Sequence, residues 1–123
     1  MATPLEQLEL MKQLKDNFDG YGGAPPAAPV LELAKELVGL IEKVRSLSKP
    51  FEGMYVTPGR DGSVLIEWDD DEYSHELDVN QDGSIGLLHV EKASGVMTER
   101  EFQPSPFSIT PGLLTELFEP VAA

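Results

Sequence analysis

The sequence contains no cysteine, and this absence excludes disulfide bonds, thiolate zinc sites and cysteine nucleophiles together. Basic residues are also scarce, because 9 lysines and arginines stand against 22 aspartates and glutamates, for a formal net charge of -13. A field of that sign repels the phosphates of nucleic acids and anionic lipid surfaces. We therefore expect no direct binding to nucleic acid.

Long apolar runs are missing as well. No stretch approaches the ~20 apolar residues that a membrane helix requires, and the first residues lack the basic and apolar regions of a secretory signal. We therefore expect a cytoplasmic chain that does not bind membranes. Its 123 residues, of which 41% are hydrophobic, fit a single folded domain over residues 1–123.

Two helices are predicted in the first part of the chain, at about residues 1–48. Thr3, Pro4 and Glu6 form a helix start with a capping box, and apolar residues recur every three or four positions after it, which predicts a helix over residues 4–17. A stretch rich in glycine and proline follows. Beyond it, a proline and a second apolar repeat predict a helix over residues 29–47.

The apolar period then changes from near 3.6 to 2, with short runs divided by turn signals. This pattern predicts an antiparallel meander of four or five strands at about residues 51–103. A proline breaks the last strand, and a short C-terminal helix is predicted at about residues 110–119. The predicted fold class is α+β, with the helices packed on one face of the sheet.

The stretch DVNQDGSIG, residues 78–86, resembles a calcium-binding loop. Asp78, Asn80 and Asp82 stand at positions 1, 3 and 5 of such a loop, but His89 occupies position 12, where calcium coordination needs a bidentate glutamate. The flanking residues are typical of strands, and Asp-Gly is a strong hairpin signal. We expect a hairpin turn here, with a weak calcium site as the alternative, and we expect no cofactor.

A hairpin loop of two or four residues at this turn predicts a register for the two strands. It places these apolar residues on one face: Leu77, Val79, Leu88 and Val90. In the same register His75 and His89 point to opposite faces. A site shared by the two histidines would require a bulge or a loop of three or five residues.

Four consecutive carboxylates form a second candidate feature at a predicted hairpin tip. A solvated turn is one interpretation, and a contact patch for a basic protein is the other, with flanking aromatic residues as anchors at its edge. The predicted patch consists of Asp69, Asp70, Asp71 and Glu72, with Trp68 and Tyr73. Glu67 and Asp69 could be drawn as a hydrolase pair, but such pairs have little specificity in so acidic a chain.

Two stretches carry a resemblance to a known group of proteins. Residues 18–22 read FDGYG and are followed by two prolines, and residues 61–68 read DGSVLIEW. The chain therefore resembles, over roughly residues 14–90, small uncharacterised bacterial proteins with a W-D-G-Y-G-A-x-P stretch and a D-G-x-x-x-L-E-W strand. Phe18 stands where the group has tryptophan, and Gly23 is an extra residue. The resemblance implies a fold unit and an acidic, glycine-containing turn, and it supplies no chemistry.

No serine, lysine or glycine pattern matches a catalytic or phosphate-binding signature. We therefore expect a non-catalytic, acidic protein-binding module that occupies a basic surface of another protein, such as a nucleic-acid-binding protein, as accessory, inhibitor or antitoxin-like partners do. The alternatives are a metal-dependent or carboxylate-based enzyme and a structural subunit of a larger complex. The sequence does not predict an oligomeric state.

Overall fold

The computed structural model describes residues 3–16, 20, 23–48, 54–59 and 61–102. Two helices are followed by five strands: α1 (Pro4–Met11), α2 (Ala28–Ser48), β1 (Met54–Pro58), β2 (Val64–Asp69), β3 (Tyr73–Val79), β4 (Ile85–Glu91) and β5 (Met97–Phe102). The expected α+β arrangement of two helices and an antiparallel meander is confirmed, with five strands in the order β1-β2-β3-β4-β5. The helix expected at residues 110–119 lies outside the described residues.

Helix α1 begins where the sequence predicts and ends early. The Thr3 hydroxyl accepts a hydrogen bond from the Glu6 N–H at 3.1 Å, and the Glu6 carboxylate accepts one from the Thr3 N–H at 3.2 Å, so the capping box is complete. The helix ends at Met11 instead of residue 17, and the Leu14 N–H bonds to the Met11 carbonyl, only three residues back. Leu14 still packs against the core, which explains the misleading apolar repeat.

The helices cover one face of the sheet, which we call the inner face. Helix α1 contacts α2 and β1, and α2 contacts β2 and β3. The residues buried between them are Leu8 and Met11 of α1, Val30, Leu31, Leu33, Ala34, Leu37, Val38 and Ile41 of α2, and Met54, Val56, Val64, Ile66, Trp68, Leu77, Val79, Ile85 and Leu87 of the sheet. Within the described ranges, no helix has the length and apolar character needed to cross a membrane.

The alternate residues of the strands form the opposite face of the sheet, which we call the outer face. None of them is buried: Tyr55, Thr57, Leu65, Glu67, Asp69, Ser74, Glu76, Asp78, Gly86, Leu88, Val90, Met97, Glu99 and Glu101. Six of these are carboxylates, so the two faces of the sheet differ sharply in polarity. The strands therefore separate an apolar core from an acidic surface.

The hairpin between β3 and β4 has a three-residue loop, and the register expected for it is wrong. Val79 pairs with Ile85, and the Asn80 N–H bonds to the Ser84 carbonyl at 2.9 Å. Gly83 has φ 88°, a left-handed conformation that favours glycine, and its N–H bonds to the Asn80 carbonyl at 2.9 Å. Leu88 and Val90 consequently lie on the outer face, and Leu77 and Val79 face the core with Leu87 and Ile85.

The hairpin between β1 and β2 repeats this construction with the same tripeptide, Asp-Gly-Ser. The Gly59 N–H bonds to the Ser63 carbonyl at 2.8 Å, and Gly62 has φ 83°. The two loops are neighbours, because a Cβ atom added to Gly62 would lie 3.4 Å from the Gln81 side chain. Both loops therefore lie at one end of the sheet, while the acidic turn at residues 69–72 lies at the other.

Candidate functional site

The acidic turn between β2 and β3 has a two-residue tip, Asp71 and Glu72, closed by a hydrogen bond from the Asp70 N–H to the Tyr73 carbonyl at 2.9 Å. Asp69, Asp71 and Glu72 are exposed. Trp68 and Asp70, by contrast, are only 1% and 6% exposed and belong to the core side of the sheet. They therefore do not contribute to a contact surface, because strand alternation turns them inward.

Asp70 connects the acidic turn to β3 through hydrogen bonds. One carboxylate oxygen accepts hydrogen bonds from the N–H groups of Glu72 and Tyr73 at 2.9 and 2.8 Å, and the other lies 2.9 Å from His75 Nε2. Burial alone would raise the pKa of Asp70, but the hydrogen bonds from His75 and the two backbone groups outweigh it and lower the pKa to about 2. Asp70 is therefore ionised at neutral pH.

His75 and His89 stand directly opposite each other on β3 and β4, both on the inner face, with Nδ1 atoms 2.6 Å apart. The expectation that they point to opposite faces is wrong, because the three-residue loop inverts the parity of β4. Both side chains are buried, at 1% and 2% exposure. Trp68 stacks on His75 with ring centroids 5.0 Å apart, and Tyr73 stacks on His75 with ring centroids 5.9 Å apart.

The chain Asp70–His75–His89 has the order of groups found in catalytic relays, but its burial keeps both rings from a substrate. The two Nδ1 atoms are also closer than the about 3.3 Å that two zinc–nitrogen bonds of ~2.05 Å at a tetrahedral angle would give. The observed 2.6 Å fits a direct hydrogen bond. Across the part of the chain that the structure describes, no group of three or more metal-ligating side chains could hold a metal ion.

The three calcium-like residues lie in two different places: Asn80 and Asp82 in the turn, and Asp78 on the outer face. Asp82 accepts hydrogen bonds from the Ser84 N–H and hydroxyl at 2.9 and 2.6 Å, and the Asn80 amide donates to the same hydroxyl at 3.1 Å. Asp78 lies on the outer face opposite Gly86. The turn thus uses Asp82 and Asn80 to fix its own backbone, which is what the hairpin interpretation predicts.

The outer face contains a row of acidic side chains that crosses three strand boundaries. Glu67 stands directly opposite Glu76, and Leu88 separates Glu76 from Glu99 along the same row. In the adjacent row, Asp78, Gly86 and Glu101 follow one another across β3, β4 and β5. Like charges placed directly opposite each other on neighbouring strands destabilise a sheet.

The members of these two rows on β3, β4 and β5 line a groove of about 460 Å³, which we call the outer-face groove. Its carboxylates are Glu76, Asp78, Glu99 and Glu101, and its floor includes Gly86 and Leu88. Burial, followed by the charges of Glu76 and Asp61, raises the pKa of Asp78. Arg100 also lines the groove and donates to the Glu99 carbonyl at 3.1 Å.

Sequence reasoning missed the outer-face groove, and it set aside the histidine contact, which it allowed only for a bulge or for a loop of three or five residues. The pairing of Glu67 with Glu76 beside the groove follows from the acidic turn, because its two-residue tip is Asp71 and Glu72. The histidine contact follows from the repeated Asp-Gly-Ser tripeptide, since glycine at the third loop position indicates a three-residue hairpin loop. Both signals are present in the sequence.

The chain matches no protein-family model, no curated protein and no solved structure.

Proposed function

We propose that this protein is a non-catalytic, acidic protein-binding module whose outer face binds a basic surface of another protein. The observation that carries the proposal is the register that sets Glu67 directly opposite Glu76. Such a pair costs stability in the isolated chain, and a positively charged partner removes that cost when it binds. Burial, followed by the negative charges of Glu76 and Asp61, raises the pKa of Asp78, so part of that rise reflects the same accumulation of charge.

Gly86 supports a specific use of the outer-face groove. It has no positive φ, and among the described residues a Cβ atom added there would meet only the Cβ of Asp78, at an ordinary 3.8 Å. Neither backbone conformation nor packing therefore requires glycine, although glycine inside a strand costs about 0.5–1 kcal/mol relative to alanine. Its missing side chain leaves room above the sheet for the aliphatic stem of a lysine or arginine, with Leu88 beside the stem and carboxylates around the charged group.

The acidic turn extends this surface along the strands. Asp69 lies on the outer face with its carboxylate 3.6 Å from Lys92 Nζ, an exposed pair that contributes little stability. Asp71 and Glu72 project beside it, and the half-buried Tyr73 lies at the border. In this proposal the chain acts in the cytoplasm, and its partner is a basic protein such as one that binds nucleic acid through a cationic groove.

Two sets of substitutions with equal charge test the proposal. Glu67→Gln/Glu76→Gln/Glu99→Gln neutralises the outer face, and Glu9→Gln/Glu32→Gln/Glu36→Gln neutralises three exposed residues of the helices. Each set changes the formal net charge from -13 to -10, because three carboxylates are removed. The full chain is first used at low salt to recover a partner, and the affinity of that partner is then measured for both variants.

We expect the outer-face variant to bind about tenfold more weakly or worse, a loss of about 1.4 kcal/mol, and the helix variant to bind like the wild type. Raising the salt concentration should weaken wild-type binding in the same experiment. Equal losses in both variants would show that net charge alone drives association. Unchanged affinity in the outer-face variant would contradict the proposal.

A further inference from the structure

The contact between the two histidines limits how many protons the pair can hold. A ring nitrogen with a hydrogen donates, and one without a hydrogen accepts, so the 2.6 Å separation of the Nδ1 atoms requires one hydrogen between them. At the other end of His75, the ionised Asp70 carboxylate accepts from Nε2, which therefore carries a hydrogen. These two contacts restrict the protonation states of the pair in the folded chain.

Two states of the pair satisfy both contacts. In the neutral state, His89 Nδ1 donates to His75 Nδ1. In the singly charged state, His75 carries hydrogens on both nitrogens and donates to Asp70 and to His89, and its positive charge is balanced by the Asp70 carboxylate. A doubly charged pair would set two N–H groups against each other at 2.6 Å, which removes the hydrogen bond and opposes two positive charges.

We propose that Asp70, His75 and His89 form a buried one-proton site that joins β3 to β4 and breaks this contact when acidification forces a second proton onto the pair. The inference is independent of the outer face, because both rings lie on the inner face. It assigns the two histidines a role in acid sensing and none in catalysis.

The surroundings of the pair decide how strongly it resists the second proton. Tyr73 lies against both rings, with its hydroxyl 3.5 Å from the Glu91 carboxylate, and the exposed Glu72 adds negative charge near it. Trp68 of β2 stacks on His75, and Thr98 of β5 stands opposite His89. The part of α2 that is buried against the sheet contributes apolar side chains. Among these described neighbours, Asp70 is the carboxylate in direct contact with a ring.

The consequence for stability follows from counting protons. The chain has only two histidines, so below the ordinary histidine pKa of ~6.5 the unfolded state binds two protons on them, and the folded state binds one. Because the unfolded state then holds one proton more, the folded state loses stability as the pH falls. The equilibrium constant for unfolding should rise about tenfold per pH unit between about pH 6 and pH 5.

The first experiment measures denaturant unfolding of the full chain from pH 7 to pH 5, for the wild type and for His89→Asn. In the variant, His75 can donate to the asparagine side-chain oxygen while it binds its single proton, so folded and unfolded states hold equal numbers of histidine protons. The tenfold change per pH unit should therefore disappear from the variant. The many carboxylates titrate in both proteins, and the difference between the two slopes isolates the histidines.

The second experiment needs no variant. Two-dimensional NMR of the wild type with ¹⁵N-labelled histidine reports which ring nitrogens carry hydrogens at each pH. We expect one Nδ1 to stay without a hydrogen for as long as the amide groups between β3 and β4 remain protected from exchange. Four protonated ring nitrogens in a chain with intact β3–β4 protection would overturn the proposal, as would equal pH slopes for the wild type and a folded His89→Asn.

Discussion

Asp61 and Asp82 have the same structural role in two hairpin loops. Each accepts hydrogen bonds from the N–H and the hydroxyl of a serine two residues later, with the hydroxyl contact at 2.6 Å in both loops. The serine hydrogen bonds lower the pKa of both aspartates. The resemblance of DVNQDGSIG to a calcium loop thus arises from residues that a hairpin also needs.

Gly86 is a residue at which stability and binding should change in opposite directions. The substitution Gly86→Val introduces a β-branched side chain into a strand position with room for it, so we expect the free energy of unfolding to rise by about 0.5–1 kcal/mol. The same side chain fills the outer-face groove and should weaken partner binding about tenfold or more. Urea denaturation and an affinity measurement on the same preparation check both effects.

A Gly86→Val variant with a lower free energy of unfolding would contradict this prediction, because it would show that packing around residue 86 requires glycine. Full binding by a stable Gly86→Val would remove the groove from the binding surface while leaving the acidic row in place. Thr57→Val is a matched control, because it also adds a valine to the outer face but lies on β1, away from the groove.

At the scale of elements, apolar periodicity predicted the helices and the strands, but it did not predict their registers or ends. Leu87 and Leu88 are both apolar, so the pattern allows either one to face the core, and the loop length decides. The end of α1 was predicted too late for a related reason, because Leu14 is apolar and packs on the core although it lies outside the helix. The apolar character of a residue shows that it can be buried. The backbone hydrogen bonds determine which face of a strand it occupies and whether it belongs to a helix.

Gly83 fixes the loop length that places the two histidines opposite each other. Alanine at its φ of 88° is strained, so we expect Gly83→Ala to lower the free energy of unfolding by about 1–2 kcal/mol. Gly39→Ala is the matched control, since Gly39 lies exposed in α2 with nothing near its added Cβ, and it should instead stabilise by about 1 kcal/mol. Urea denaturation at pH 7 compares them. A neutral Gly83→Ala would mean that the loop rearranges without cost.

For the whole molecule, the excess of 22 acidic over 9 basic residues implies self-repulsion in the folded state. Added NaCl screens it, so we expect the melting temperature to rise between 0.05 and 0.5 M NaCl by about 4 °C, which is roughly 1 kcal/mol for a domain of this size. The melting temperature of the Glu67→Gln/Glu76→Gln/Glu99→Gln variant should rise less with added NaCl than that of the helix variant of equal charge. Scanning calorimetry measures the shifts, and equal gains in the two variants would mean that repulsion is spread evenly over the surface.

The order of the strands also bears on how the chain folds. Each of the five described strands pairs with its neighbours in sequence, so each of these pairings closes a short loop and costs little conformational entropy. Helix α1 is different, because Gln7 accepts a hydrogen bond from the Val56 N–H on the edge of β1, 49 residues away. Among the described contacts of β1, the docking of α1 therefore has the largest cost in conformational entropy. The strands can pair before α1 docks.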